Sequence, residues 1–179
     1  MIVTDVIDAL IAREGGYVDH PADRGGATRW GVTEQVARAW GYTGDMRELP
    51  YETAHAIYVE RYWTGPGLAQ VSARTSAIAE ELLDTGVNMG PMVAARMLQR
   101  ALNALNRGAT AYPDVAVDGV IGRMTLYALD QFIAGRGVEG VTVLLRALNG
   151  LQACRYIEIA EAKPSQESFV YGWLQARVA

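Results

Sequence analysis

Cysteine is almost missing from this chain: Cys154 stands alone, so no disulfide can close within it. It follows Ala147 and Leu151 at helical core spacing, and a buried, inert thiol is expected there. Histidine is nearly as scarce. His20 and His55 are the only two, neither has a cysteine or another histidine at ligand spacing, and no metal or cofactor is expected. Basic charge is not in excess. Lys and Arg number 16 against 20 Asp and Glu, for a net charge of −4, which argues against a nucleic-acid partner because that would call for a basic patch. No apolar run approaches the roughly 20 residues of a membrane span. Asp5 and Asp8 interrupt the apolar stretch 2–12 and spoil it as a signal-peptide core. A soluble chain, made in the cytoplasm without a recognisable signal peptide, is the expectation. Strand alternation is missing outside residues 17–32, as are repeats and low-complexity tracts.

What remains is a helical pattern around an ample core. Half of the 179 residues are hydrophobic and a fifth charged, which excludes a disordered chain. One compact unit of two lobes suits that length. Val3, Val6, Ile7, Leu10 and Ile11 form the 3.6-residue stripe of a first helix, with Thr4 as its expected N-cap. Thr33 caps a short helix through Trp40, ended by Gly41. Pro50 opens another, through Ala54, Ile57, Tyr58 and Arg61 to Trp63. Ser76 to about Val87 reads as a core helix, and Pro91 suits the first turn of the next, with Met97, Leu98, Ala101 and Leu102 on its stripe. After a loop over 107–117 and a turn at Asp118-Gly119, helices are expected at about 123–133, 139–162 and 166–177. The fold class is therefore mainly α, with a small β-hairpin or loop at about residues 17–32.

Glu14 is the chemically informative residue. It continues the stripe of Val3, Ile7 and Leu10, and Gly15-Gly16 then stops the helix. A carboxyl held against apolar packing loses hydration, so its pKa rises and it can stay protonated near neutral pH, as a general acid must. The Gly- and Pro-punctuated segment that follows carries Asp23, beside a glycine pair that lets backbone approach closely, and the hydroxyls of Thr28 and Thr33. A desolvated acid with a second, polar carboxylate is what glycosidic cleavage requires. The alternative is that Glu14 caps its helix and Asp23 is a turn residue.

Several motifs together carry a resemblance. Glu14-Gly-Gly-Tyr and Pro21-Ala-Asp23-x-Gly25-Gly26-x-Thr28-x-x-Gly31-x-Thr33 resemble the signature of the glycoside hydrolase family 108 muramidases, which are phage endolysins and bacterial lysozyme-like proteins. Leu83-Asp-Thr-Gly-Val-Asn88-Met-Gly90-Pro and Leu98-Gln-Arg-Ala-Leu-Asn103 resemble that family's central segment. Asp118-Gly119-Val-Ile-Gly122-x-x-Thr125 resembles its peptidoglycan-binding-like region, and Phe169-Val-Tyr-Gly172-Trp173-Leu174 its closing helix. Arg123 departs from the pattern, standing where the family usually has Pro. So does Gln-Ala-Arg177, where an Arg is usual sooner.

The resemblance implies a lysozyme-like fold, with a muramidase catalytic lobe over 1–90 and a helical peptidoglycan-binding-like lobe over 91–179. It implies Glu14 as the catalytic acid, with Asp23 and Thr28 positioning or activating water. The expected activity is cleavage of the β-1,4 bond between N-acetylmuramic acid and N-acetylglucosamine by a phage endolysin, a monomer that reaches the wall in the periplasm after release. Net negative charge opposes long-range attraction to an anionic wall, so binding should rest on groove contacts. Trp30, Tyr62 and Trp63 are candidates to line that groove, since sugar rings present apolar faces to aromatic planes. The alternative for Tyr58 and Tyr62, four apart, is core packing, preferred for Tyr58. Asn88 is a candidate for an N-acetyl contact, with capping of the helix beginning near Pro91 as the preferred alternative. Rival readings are a lytic transglycosylase and a non-catalytic wall-binding protein.

Overall fold

The computed structural model describes residues 3–18 and 27–177, the side chains of Glu14, Ala176 and Arg177 excepted. The chain forms two compact units, Met1–Trp63 and Thr64–Ala179.

The first unit opens with α1 (Val3–Glu14), whose Ile7, Leu10 and Ile11 are buried as their spacing dictates. Val3 is already helical, so Thr4 lies inside α1 and is not its cap. Gly15, at φ +81°, ends the helix in the left-handed conformation that a side chain would resist. Val18 then pairs with Thr28 in an isolated antiparallel bridge. Strands β1 (Thr28–Arg29) and β2 (Val32–Thr33) form a two-stranded antiparallel hairpin, with Thr28 opposite Thr33 and Arg29 opposite Val32. Its turn residues, Trp30 and Gly31, both have positive φ (+56° and +73°), as the twist-matched primed hairpin turn requires. Thr33 caps α2 (Glu34–Trp40) by accepting the Val36 N–H, and Gly41 ends it at φ +99°. After a short 3₁₀ turn at Met46–Glu48, Pro50 opens α3 (Tyr51–Val59). The expected run to Trp63 continues as a π-helical turn, Glu60–Thr64, which the periodicity did not reveal.

The second unit contains α4 (Leu68–Ser72), α5 (Ser76–Met89), α6 (Pro91–Leu105), α7 (Arg123–Ala162) and α8 (Glu167–Arg177). Its core is built from Ile78, Leu82 and Leu83 of α5, Leu98 and Leu102 of α6, and Leu129, Leu144 and Leu148 of α7. The two helices expected within 123–162 meet at a kink, with Gly137 at φ +60° and ψ −154°. Arg123 occupies the first helical position of α7. Proline is favoured there because that N–H has no helical partner in any case, so a Pro-to-Arg departure costs the helix start little.

Beyond the kink, Leu144, Leu148, Gln152, Tyr156 and Ala160 form the buried stripe of α7, spaced four apart. Cys154 is two residues off that stripe and is exposed, which corrects the expectation of a buried thiol. Trp173 of α8 stacks on Tyr156, with ring centroids 5.1 Å apart, and on Phe169 at 6.0 Å. Among the described residues no helix is long and apolar enough to cross a membrane.

Candidate active site

In the first unit, the end of α1 places Glu14 directly before the left-handed Gly15. Four residues later Val18 exchanges two backbone hydrogen bonds with Thr28, each 2.8 Å. Thr28 is thereby fixed, half-buried, at the start of the hairpin. Its cross-strand neighbour Thr33 has its hydroxyl committed to the α2 cap. The carboxyl of Glu14, and the whole of His20 and Asp23, lie outside the described residues.

Trp30 is held from two sides. Its indole N–H donates to the Leu49 carbonyl at 3.1 Å, and its ring meets Tyr51 edge-on at 5.6 Å. The Arg29 guanidinium lies over the same ring at 5.3 Å. Tyr51 in turn donates its hydroxyl to the Asp8 carboxylate in a short hydrogen bond. That bond, more than burial, raises the Tyr51 pKa, because the carboxylate favours the protonated phenol. His55, one turn further along α3, sets Nε2 3.7 Å from the same carboxylate, and that nitrogen is buried without a hydrogen-bond partner. Asp8, Tyr51 and His55 thus tie α3 to α1 six residues before Glu14. Sequence reading missed this cluster. Its signal was a one-turn spacing of Tyr51 and His55, uninformative until α1 supplied a carboxylate.

Tyr62 stacks on buried Tyr58 at 5.9 Å, and the Arg61 guanidinium lies 5.4 Å from the Tyr62 ring. Tyr58 therefore packs in the core, as preferred. Tyr62 and Trp63 are half-buried within the π turn, and π turns are frequent at functional sites because the extra residue re-aims the side chains.

Asn88 belongs to the second unit and is exposed on α5. It does not cap α6. Gly90 holds the cap position without a side-chain bond, while the Asn88 amide donates back along its own helix to the Asp84 carbonyl at 2.7 Å. A last-turn amide finds the second lone pair of a carbonyl one turn back on its own helix closer than the next helix's N–H groups.

The same unit holds a carboxyl with the properties sought in Glu14. Burial, reinforced by the neighbouring Asp84 and opposed by a hydrogen bond from Thr85, raises the Glu81 pKa to about 7. Gln152 of α7 donates to Asp84 at 3.0 Å and to the Thr85 hydroxyl at 3.1 Å. The sequence signal was present: Glu81 falls three residues after Ile78 and four before Thr85, on an apolar stripe.

Farther on, α6 staples the loop that follows it. Gln99, fully buried, donates to the Asp118 carboxylate (2.8 Å) and the Val120 carbonyl (3.0 Å), and accepts the Gly119 N–H (2.9 Å). Asn103 exchanges two bonds with the backbone of Val115. Asn106 bonds the Asp114 carboxylate and accepts the Ala109 N–H. The bonds from Gln99 and Val120 hold the Asp118 carboxyl below its usual pKa. Asp118-Gly119 is accordingly a turn, with Gly119 at φ +84°.

The class this fold defines is that of mainly α, lysozyme-like proteins. Residues 7–90 match the family model described as glycosyl hydrolase 108, and residues 93–178 match one described as a predicted peptidoglycan domain. Together the two matches span nearly the whole chain, which is similar to the glycosyl hydrolase 108 family over its first half and to the peptidoglycan-domain family over its second. The solved structure of SagA from Brucella abortus is similar over 97% of this chain and 94% of that one, with 26% identity and a TM-score of 0.53. No curated protein matches the chain at a significant level.

Proposed function

We propose that this protein is a peptidoglycan hydrolase of the N-acetylmuramidase type, cleaving the β-1,4 bond between N-acetylmuramic acid and N-acetylglucosamine. Glu14 gives its proton to the glycosidic oxygen as the bond to the anomeric carbon breaks. Asp23, aided by Thr28, orients the attacking water or stabilises the positive charge that develops on the sugar. Trp30, Tyr62, Trp63 and Asn88 contact the glycan. Residues 1–90 carry catalysis and 91–179 hold the wall, in a monomer that acts from the periplasm as a phage lysis enzyme.

The observation that carries this reading is the placement of Glu14. Glu14 is the last residue of α1, directly before a left-handed glycine and one short segment from a tethered Thr28, inside the stretch that matches a glycosyl hydrolase family model. Mass spectrometry of products from purified peptidoglycan tests it. Hydrolysis leaves reducing muramic acid ends, whereas a product one water lighter would mean transglycosylation. Glu14→Gln should clear a peptidoglycan suspension at least about 10²-fold more slowly, the usual cost of removing a general acid. Clearing at the wild-type rate would remove Glu14 from the mechanism.

A further inference from the structure

An open groove of about 310 Å³ runs between α6 and the second half of α7. Each helix offers it one face. Val93, Arg96, Met97 and Arg100 follow the i, i+3, i+4, i+7 spacing along α6, and Leu151, Cys154, Arg155 and Glu158 repeat it along α7. The floor is apolar, with Met97 buried and Leu151 half-buried. The rim carries three guanidinium groups against one carboxylate, on a chain whose net charge is −4.

Glu158 is already engaged. It accepts from Arg155 at 2.9 Å and from the Cys154 thiol at 3.7 Å, and chiefly the Arg155 bond, with Arg100 adding attraction, holds its pKa down. Among the described residues no ion pair involves Arg96 or Arg100. Two like charges one helical turn apart repel, and a helix gains nothing from that arrangement by itself. The nearby Asp118 feels Arg96 only weakly, its carboxylate being taken by Gln99 and the Val120 N–H. The groove therefore presents two unsatisfied planar forks above an apolar floor. That suits a short peptide with carboxylates at one edge and aliphatic side chains beneath.

We propose that this groove binds the carboxylate-bearing stem peptide of peptidoglycan, with Arg96 and Arg100 pairing with its carboxylates. The second half of the chain would then grip the wall by its peptides and leave the glycan to the first half. This rests on the wall-binding assignment of residues 91–179.

The test uses the full chain carrying Glu14→Gln, so that the wall is not consumed. Co-sedimentation with intact sacculi is compared with the same sacculi stripped of stem peptides by an amidase. Binding to intact sacculi should be about tenfold or more tighter, and Arg96→Ala/Arg100→Ala should erase that difference without altering binding to the stripped wall. The unsubstituted protein gives an independent readout, because its only cysteine lines the groove. Free tetrapeptide stem should slow maleimide labelling of Cys154, and inorganic phosphate at equal concentration should not.

Equal binding to both sacculi overturns the proposal, as does a double-alanine variant that still discriminates. Protection by phosphate alone would reassign the groove to an anionic phosphate ligand. Hydrolysis of peptide-stripped glycan by the native chain separates the two readings. An inert chain that discriminates sacculi fails only as a hydrolase, and an active chain that does not discriminate fails only here.

Discussion

Glu81 is where one side chain has the clearest energetic consequence. Its carboxyl, half-buried in α5 and facing Asp84, is protonated in the folded state up to about pH 7 but ionises near 4.5 when unfolded. The folded form therefore binds an extra proton between those values. Stability is highest below 4.5 and falls as pH rises through 7, because the fold must then hold a charge it disfavours. Allowing for solvent screening at a partly exposed group, that penalty is about 1–2 kcal/mol at alkaline pH. Glu81→Gln keeps the shape and the bond from Thr85 while removing the charge. Its melting temperature should exceed wild type by several degrees at about pH 8 and match it at about pH 5. A difference that stays constant across that range would mean Glu81 is not the titrating group.

The glycines act at the level of elements, and two of them should behave in opposite ways. Gly119 turns the loop that α6 staples. An added Cβ there would meet the Met92 side chain and, at 3.0 Å, the Met92 carbonyl, in a left-handed conformation at φ +84° that costs a side chain further. Gly119→Ala should destabilise by about 2–4 kcal/mol, combining backbone strain with overpacking. Gly150, on the exposed side of α7, has nothing within 4 Å of an added Cβ. Gly150→Ala should stabilise by about 0.5–1 kcal/mol, since alanine surrenders less backbone freedom on entering a helix. Thermal melts of both variants check the pair, and similar losses in both would show that the Gly119 contact does not set its cost. The element-level reading of the sequence held at four helix ends and failed at two, Thr4 and Asn88. Thr33, Gly41, Pro50 and Pro91 sit where cap chemistry placed them, because a cap is settled by a residue and the few N–H or C=O groups beside it.

At the scale of the whole molecule, the family matches meet near residue 90, whereas the compact units meet at Trp63 and Thr64. The difference lies in α4 and α5, which fall in the first match yet pack within the second unit, α5 against both α6 and α7. Leu82 and Leu83 of α5 are buried there together with Leu98, Leu102 and Leu144. Residues 64–179 expressed alone should give a cooperative thermal melt. Residues 91–179, stripped of the helix that covers α6 and α7, should not, because large apolar side chains would face water without compensation. A cooperative melt of 91–179 at the same temperature would show that α5 is dispensable to that core.

By itself the sequence determined most of the helices, the caps at Thr33, Gly41, Pro50 and Pro91, a small hairpin or loop at about residues 17–32 and the position of Glu14 at the end of α1. All of these follow from interactions a few residues long: apolar spacing of three and four, an N-cap hydroxyl, a glycine free to turn left-handed. Only the tertiary structure decided which helix faces are covered. Cys154 reads as a core residue until the stripe from Leu144 to Ala160 is seen to take the buried side of α7. Asp84, half-buried, gains a partner because Gln152, 68 positions away, reaches it. Asp8 gathers Tyr51 and His55 from 43 and 47 residues on because α3 packs against α1. Burial and the satisfaction of buried polar groups depend on what another element supplies, and one segment's periodicity carries no record of its partner.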